Sequence, residues 1–219
     1  MRTVSSEELE QRRDIMIHEH LMGRGIRDPA VLAAMRQVPR ERFISAEMQS
    51  VAYEDYPLQI DEGQTISQPY IVAYMTEALE LSPEDRVLEI GTGSGYAAAV
   101  LSRIVATVFT VERLPGLAHN ARHRLEVLGY TNIVTHLGDG SLGWSEHAPY
   151  NAIVVTAGAP DVPGPLLGQL AVGGRFIIPV GADTFHQILI RVRRFAPNNY
   201  IREALCNVRF VPLIGSAGW

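Results

Sequence analysis

Glycines at 91, 93 and 95 follow the apolar run Val87-Leu88-Glu89-Ile90, and an acid, Glu112, closes a second run, Val108-Phe109-Thr110-Val111. Glycines without Cβ atoms let a backbone turn tightly and pass close to a ligand. Glu112 comes twenty-one positions after Gly91, where a carboxylate accepts hydrogen bonds from paired ribose hydroxyls. The chemistry indicated is nucleoside binding. The spacing is G-x-G-x-G, not the G-x-G-x-x-G of dinucleotide sites, in which a helix N-terminus meets a pyrophosphate. Glu89 precedes the turn, and an acid beside the pocket suits a cation without phosphates. S-adenosylmethionine, a sulfonium with an amino acid tail, meets that description better than NAD. Glu89, Gly91, Gly93, Gly95 and Glu112 are the expected cofactor contacts.

Gly138-Asp139-Gly140 follows a third apolar run. At the carboxyl edge of an open α/β sheet, that loop lies beside the adenine, where Asp139 and Gly140 join the cofactor set and Asp139 accepts from the amino group. The same tripeptide alone is also an ordinary Asp-Gly turn. A fourth run ends Val154-Val155-Thr156-Ala157-Gly158-Ala159-Pro160. It lacks the Asn/Asp-Pro-Pro-aromatic sequence of enzymes that methylate base amines, which argues against adenine or cytosine as acceptor. Ser67, within Gln64-Thr65-Ile66-Ser67-Gln68-Pro69, reads from spacing alone as a helix N-cap worth about 1 kcal/mol.

Several other chemistries are excluded. No G-x-S-x-G elbow exists for a Ser-His-Asp hydrolase. His18 and His20 face different ways on a helix, and His119 and His123 fall on an outer helix face, so no metal is expected. All nineteen basic residues are Arg, which removes Schiff-base and Walker lysine chemistry. The single cysteine, Cys206, rules out an internal disulfide and a CxxC site; in its apolar segment it reads as a buried structural thiol. A net charge of −5 with no basic block makes nucleic acid an improbable partner.

These residues need a scaffold to hold them. The chain has 219 residues, of which 47% are hydrophobic, enough for a single α/β domain with a large core. Ser5 or Ser6 caps a first helix running to about Met22, ended by Gly23 and Gly25. Asp28-Pro29 opens a second helix, and Ser45 to Ala52 a third. An irregular stretch, Tyr53 to Ser67, leads to a fourth helix after Pro69, with Ile71, Met75, Ala78 and Leu79 on one face. Strands near 86–90, 107–111, 133–136, 150–156 and 173–179 then alternate with helices near 96–105, 114–128 and 163–170, the rhythm of a parallel sheet. Gln187 to Val192 and Leu205 to Val211, with Ala196-Pro197-Asn198-Asn199 between them, form an antiparallel hairpin. Met1 to Arg13 is polar, with no signal-peptide core, and no run reaches membrane-spanning length. No membrane partner and a cytoplasmic location are expected.

At this level the sequence resembles the bacterial-type protein-L-isoaspartate (D-aspartate) O-methyltransferase family. The resemblance covers nearly the whole chain: Val38 to Phe43, Tyr56-Pro57-Leu58, Gly63 to Tyr70, Val87 to Gly95, Gly138-Asp139-Gly140 and Val208 to Leu213. Its most specific parts are Gln-Thr-Ile-Ser-Gln-Pro and Val-Arg-Phe-Val-Pro-Leu. It implies a Rossmann-like class I methyltransferase sheet with N-terminal helices and a C-terminal antiparallel hairpin. Residues 1–80 would be a helical cover with the catalytic loop, and 81–219 the S-adenosylmethionine-binding core. The implied reaction transfers a methyl group to the free α-carboxylate of an isoaspartyl residue in damaged proteins and peptides. Ser67 is implied as the catalytic serine. Gln64, Thr65, Ile66, Ser67, Pro212 and Leu213 frame the substrate, and Thr65 also touches the cofactor. One departure stands out: Asp61 replaces a glycine common after Pro-Leu-x-Ile, and Asp61 and Glu62 bring two negative charges toward a carboxylate site. A monomer is the expected state. Two rival readings differ in outcome: a small-molecule O-methyltransferase on the same fold, and an adaptor that binds cofactor without turnover. Ser67, Glu112 and Asp139 are all present, which speaks against the second.

Overall fold

The computed structural model describes residues 4–219, so Met1 to Thr3 of the polar N-terminal stretch lie outside the described residues. Helix α1, Ser6–Ile15, opens with a capping box: Ser5 Oγ accepts from Glu8 N and Glu8 Oε2 accepts from Ser5 N, each at 3.1 Å. The helix continues as a π-helical turn, Met16–Leu21, and a 3-10 turn, Met22–Arg24, stopped by Gly25 at φ 102°. Asp28 caps α2, Pro29–Gln37, through the amides of Ala30 and Val31. The helix expected over Ser45 to Ala52 is a 3-10 turn, Ala46–Val51. The stretch expected to be irregular contains a small antiparallel ribbon, β1 Leu58–Gln59 with β2 Thr65–Ile66. Its period is too short to show in sequence. Helix α3, Pro69–Ala78, follows, with Met75 and Leu79 buried and Ile71 and Ala78 only partly so.

The main sheet is built from β3 Arg86–Ile90, β4 Thr107–Glu112, β5 Ile133–Leu137, β6 Tyr150–Val155, β7 Leu170–Val180, β8 Gln187–Ala196 and β9 Asn199–Val208. Helices α4 Tyr96–Ser102, α5 Pro115–Val127 and α6 Gly164–Gln169 connect them. Strand order is β5-β4-β3-β6-β7-β8-β9; the first five are parallel, β8 runs against them and β9 pairs antiparallel to β8. The order reverses between β3 and β6, the place where open α/β sheets bind ligands.

The hairpin differs in register from the sequence expectation. Ala196 pairs with Asn199 directly across the turn and Gln187 pairs with Val208, so the last strand runs over 199–208 rather than 205–211. Beyond Gln187 strand β8 has no more residues to offer. Arg209 to Val211 therefore leave the edge, and Pro212 makes a parallel bridge to Gly158 near the end of β6. Cys206 on β9 is half-buried, not fully buried.

Side chains alternate across each strand. Val87 joins a core with the N-terminal helices and α4, while Leu88 and Ile90 join a second core on the opposite face with α6. No helix among the described residues is long and apolar enough to cross a membrane.

Arg175 of β7 ties the helical cover to the sheet. Its guanidinium donates to Leu79 O at 2.5 Å and to Glu80 O, and it pairs with Asp85 Oδ2 at 3.1 Å. Leu79 and Glu80 end α3, where unpaired carbonyls carry the negative end of the helix dipole. Both partners of the ion pair are largely buried, at 13% and 9% exposure. Arg175→Ala strands two carbonyls and one acid, a loss of about 3 kcal/mol. Scanning calorimetry should show the melting temperature lower by roughly 6–12 °C.

Candidate active site

The cleft opens over the carboxyl ends of β3 and β6. Gly91 turns at φ 96°, and a Cβ there would stand 2.4 Å from Thr156 Oγ1. Thr156 Oγ1 itself donates to the carbonyls of Ile90 and Gly91, at 3.1 and 2.9 Å. Backbone and hydroxyl thus interlock where only glycine fits. Glu112 ends β4 with 6% exposure. Its Oε2 accepts from Gly93 N at 2.9 Å, and its Oε1 accepts from the amides of Arg113 and Leu114 at 2.9 and 3.0 Å. Three amides hold the carboxylate at the cleft wall, and Oε2 keeps a lone pair for a ribose hydroxyl.

Two cavities meet at Thr65, Gly91, Gly93 and Thr156. One is an apolar slot between Ile90, Val111, Ala157 and Leu213, with Glu112 and Gly140 at its walls. The other is lined by Ser67, Met75, Thr76, Thr92, Ser94 and Tyr96. A flat apolar slot beside a ribose-binding carboxylate, continuing into a chamber of hydroxyl groups, fits adenosine with a methionine tail. Thr156 is a site residue the sequence reading did not assign. Its signal is a lone polar side chain at the carboxyl end of an otherwise apolar strand.

Three of the expected cofactor contacts line neither cavity. Glu89 has 0% exposure and does not line the cleft. Strand alternation turns it under α4, where Oε2 accepts from Thr110 Oγ1, which in turn lies 2.6 Å from Thr92 Oγ1 in the glycine turn. Its Oε1 has no hydrogen-bond partner. Burial, with the negative charge of Glu112 adding to it, pushes the Glu89 carboxyl up to about 8. It is mostly neutral at pH 7 and does not supply the charge that would attract a sulfonium. Gly95, at φ 89°, packs against Leu125 and Ala121 of α5. It lets helix approach helix rather than ligand approach backbone. Asp139 turns from the cleft to the C-terminal turn: Oδ1 accepts from Ser141 N and Oγ, and Oδ2 accepts from Ser216 N at 2.7 Å. Burial works against its charge, but these hydrogen bonds outweigh it and lower its pKa. Its neighbour Gly140 is the residue that lines the slot.

The ribbon β1–β2 delivers Thr65, Ile66 and Ser67 to the cleft. Ser67 lines both the hydroxyl chamber and an outer groove; Thr65 lines these two and the apolar slot. The N-cap of α3 is Gln68, without a side-chain cap, so Ser67 is not the cap its spacing suggests. Its hydroxyl makes no hydrogen bond to another described residue. Gln64 lines the apolar slot with Pro212 and Leu213. The outer groove runs past Pro57, Ile71 and Phe185 to Val208–Pro212. Asp61 and Glu62 are exposed and turn toward α5: the Glu62 carboxylate covers Gly116, and Asp61 acts on Arg124. Neither faces Ser67. His119 and His123 are exposed on α5.

A seven-stranded, mainly parallel sheet with this cleft at its reversal point has the architecture of the class I S-adenosylmethionine-dependent methyltransferases. Comparison with known proteins narrows the class. Residues 11–218 match the family described as protein-L-isoaspartate (D-aspartate) O-methyltransferase, and the chain belongs to that family. It is 73% identical over 210 residues to protein-L-isoaspartate O-methyltransferase 2 of Pelobacter propionicus, covering 96% of this chain and 93% of that one. It is 69% identical over 211 residues to the enzyme numbered 1 of Geotalea uraniireducens, covering 96% of each. A solved protein-L-isoaspartate O-methyltransferase superposes with a TM-score of 0.86 at 32% identity, covering 94% of this chain and 67% of that chain. A putative one from Plasmodium falciparum, solved in complex with S-adenosyl-L-homocysteine, superposes with a TM-score of 0.79 at 27% identity, covering 93% and 98%.

Two outcomes follow. The native state holds a proton on Glu89 between its ordinary value of 4.5 and about 8. That contribution to stability is fully present below pH 4.5 and lost as pH rises through 8. Glu89→Gln cannot titrate, so its melting temperature should gain on wild type from pH 4.5 to 8 and then keep a constant lead. A gap that does not change with pH refutes the buried acid. Glu112→Ala removes a charged acceptor worth about 1.5–3 kcal/mol, or roughly 10- to 150-fold in affinity. Calorimetry with S-adenosylhomocysteine should read that loss in a folded variant.

Proposed function

We propose that Ser67 holds the free α-carboxylate of an L-isoaspartyl (or D-aspartyl) residue in line with the methyl group of S-adenosylmethionine, and that methylation initiates repair of the damaged protein. The observation that carries this reading is the position of Ser67 between the inner chamber and the outer groove. When bound, S-adenosylmethionine supplies a methyl group on a sulfonium that departs as a neutral thioether. The acceptor carboxylate, with a pKa near about 3.5–4, is ionised at pH 7 without a base. The chamber and groove offer none: their linings contain no His or carboxylate. Ser67 therefore donates a hydrogen bond that orients one oxygen and does not act as nucleophile. Alignment of acceptor and donor is worth roughly 7–11 kcal/mol in well-oriented reactions.

Gln64, Thr65 and Ile66 set the height of that hydroxyl in the cleft. Glu112, Gly91, Gly93 and Gly140 hold the nucleoside end, and Leu213, 5% exposed, closes it with Pro212. Substrate enters through the outer groove as extended chain along Val208 to Pro212. Gln187 braces that segment by donating to Phe210 O at 3.1 Å and accepting from Phe210 N at 2.8 Å. Recognition through main chain tolerates any neighbouring side chain, which suits a repair enzyme. Residues 1–80 act as cover and substrate loop on the 81–219 core, a reading supported by one apolar cluster that runs from Met16 to Leu189. The protein works as a cytoplasmic monomer, the form that leaves its groove open to diverse chains.

Ser67→Ala and Ser67→Gly test the role without a capping effect to confuse it. Loss of one positioning donor costs about 2.7–4 kcal/mol, or roughly 100- to 1,000-fold in kcat. Affinity for S-adenosylhomocysteine should stay unchanged. The assay is methyl transfer from labelled cofactor to an isoaspartyl peptide beside its aspartyl twin. Wild-type kcat in both variants overturns the assignment.

A further inference from the structure

A serine just before a helix ordinarily spends its hydroxyl on the helix's own amides. Ser67 does not, because α3 is capped from elsewhere in the chain. Asp55, in the bend before the β1–β2 ribbon, accepts from Tyr70 N through Oδ1 at 3.3 Å. The same residue grips Gln68 twice: Gln68 Nε2 donates to Asp55 O at 2.8 Å and to Asp55 Oδ2 at 2.9 Å. Arg24 Nη1 pairs with Oδ2 at 2.5 Å and stacks on the Tyr70 ring at 3.6 Å. The first turn of α3 has no acid of its own, so Asp55 also supplies the negative charge that a helix N-terminus favours. Three hydrogen bonds to Asp55 thus converge from Gln68 and Tyr70, just beyond Ser67, and Arg24 braces the carboxylate from the other side.

We propose that Asp55 is a positioning residue for methyl transfer: by capping α3 from across the chain and clamping Gln68, it releases the Ser67 hydroxyl from capping and fixes it between cleft and groove. The inference rests on the orienting role given to Ser67. Without the Asp55 carboxylate, the Tyr70 amide loses its acceptor, and Ser67, three residues before it, has the spacing from which a serine hydroxyl turns back onto such an amide. The hydroxyl would then leave the acceptor oxygen. Asp55 is at work on the reaction only through Ser67, and this separates it from a merely structural acid.

The test is a double-mutant cycle on Asp55 and Ser67, with an isoaspartyl peptide and its aspartyl twin. Asp55→Ala should lower kcat by about 10- to 100-fold, the range seen when a reacting group is misplaced by about 1 Å. Affinity for S-adenosylhomocysteine, read by calorimetry, should remain within about two-fold. In the Ser67→Ala background the same substitution should have little further effect on kcat, because the hydroxyl it positions is gone. Asp55→Asn keeps a capping oxygen and should recover most of the activity. Equal losses in both backgrounds, or a wild-type kcat in Asp55→Ala, overturn the proposal. If Asp55→Ala fails to fold by circular dichroism, Gln68→Leu, which removes only the clamped donor, takes its place in the cycle with the same criteria. A wild-type enzyme that does not distinguish the two peptides overturns the functional reading itself, whereas discrimination with no Asp55–Ser67 coupling overturns this inference alone.

Discussion

A Cβ atom on residue 91 would sit 2.4 Å from Thr156 Oγ1, closer than any side chain permits. The cleft depends on that forbidden contact. Because residue 91 is glycine, the carboxyl ends of β3 and β6 interlock, with the Thr156 hydroxyl bonded to the carbonyls of Ile90 and Gly91. The turn then presents Gly93 N to Glu112 at 2.9 Å, which fixes the carboxylate at the slot. From there the arrangement extends outward: the loop after β5 brings Gly140, the ribbon β1–β2 brings Thr65, and the chain after β9 brings Leu213. Each is a loop or a short ribbon held by longer elements, which is where binding residues gather in folds of this kind.

Charge is distributed so that a carboxylate can approach an acidic protein. The chain carries a net charge of −5, yet no acid lines the hydroxyl chamber or the outer groove. Glu89, the nearest acid beneath the turn, is held mostly neutral by burial at about 8. Asp139 spends its charge on the amide of Ser216 and the hydroxyl and amide of Ser141. Asp61 and Glu62 lean toward α5, where Glu62 lies over the positive end of that helix and Asp61 over Arg124. Glu112 is the acid left at the apolar slot, away from the chamber and groove that Ser67 lines. The doubt raised by Asp61 in place of a glycine is thus answered by direction: both charges face solvent and α5, where screening makes them weak.

The cover and the core depend on each other. One apolar cluster includes Met16, Leu21, Met35 and Phe43 from the helical cover together with Val87, Val108 and Ile177 from the sheet. Arg175 closes the seam at the end of α3. Since α3 begins two residues beyond Ser67, the packing that stabilises the cover also sets the height of the 64–67 loop.

The local code was enough for the sheet rhythm and for the place of the cleft at the end of its first strand. Alternating apolar runs with glycine turns specify a parallel sheet because strand and helix periods are local properties. The placement of Gly91 and Glu112 at one cleft was legible because a tight turn and a strand-end acid occupy fixed offsets in this fold. The Gln64–Pro69 segment was legible because its resemblance to a family is specific over six residues. What the chain alone did not decide was direction. Glu89, Gly95 and Asp139 stand where a cofactor set should stand, yet alternation turns Glu89 under α4, packing commits Gly95 to α5, and the C-terminal turn claims Asp139. Ser67 has the spacing of a cap, but Asp55, distant in sequence, does the capping. The register of β9 and the path of Val211 to Leu213 also depend on where β8 ends and on the bridge to Gly158. Such outcomes follow from which partner reaches a polar group first in three dimensions, and sequence spacing carries no information about that.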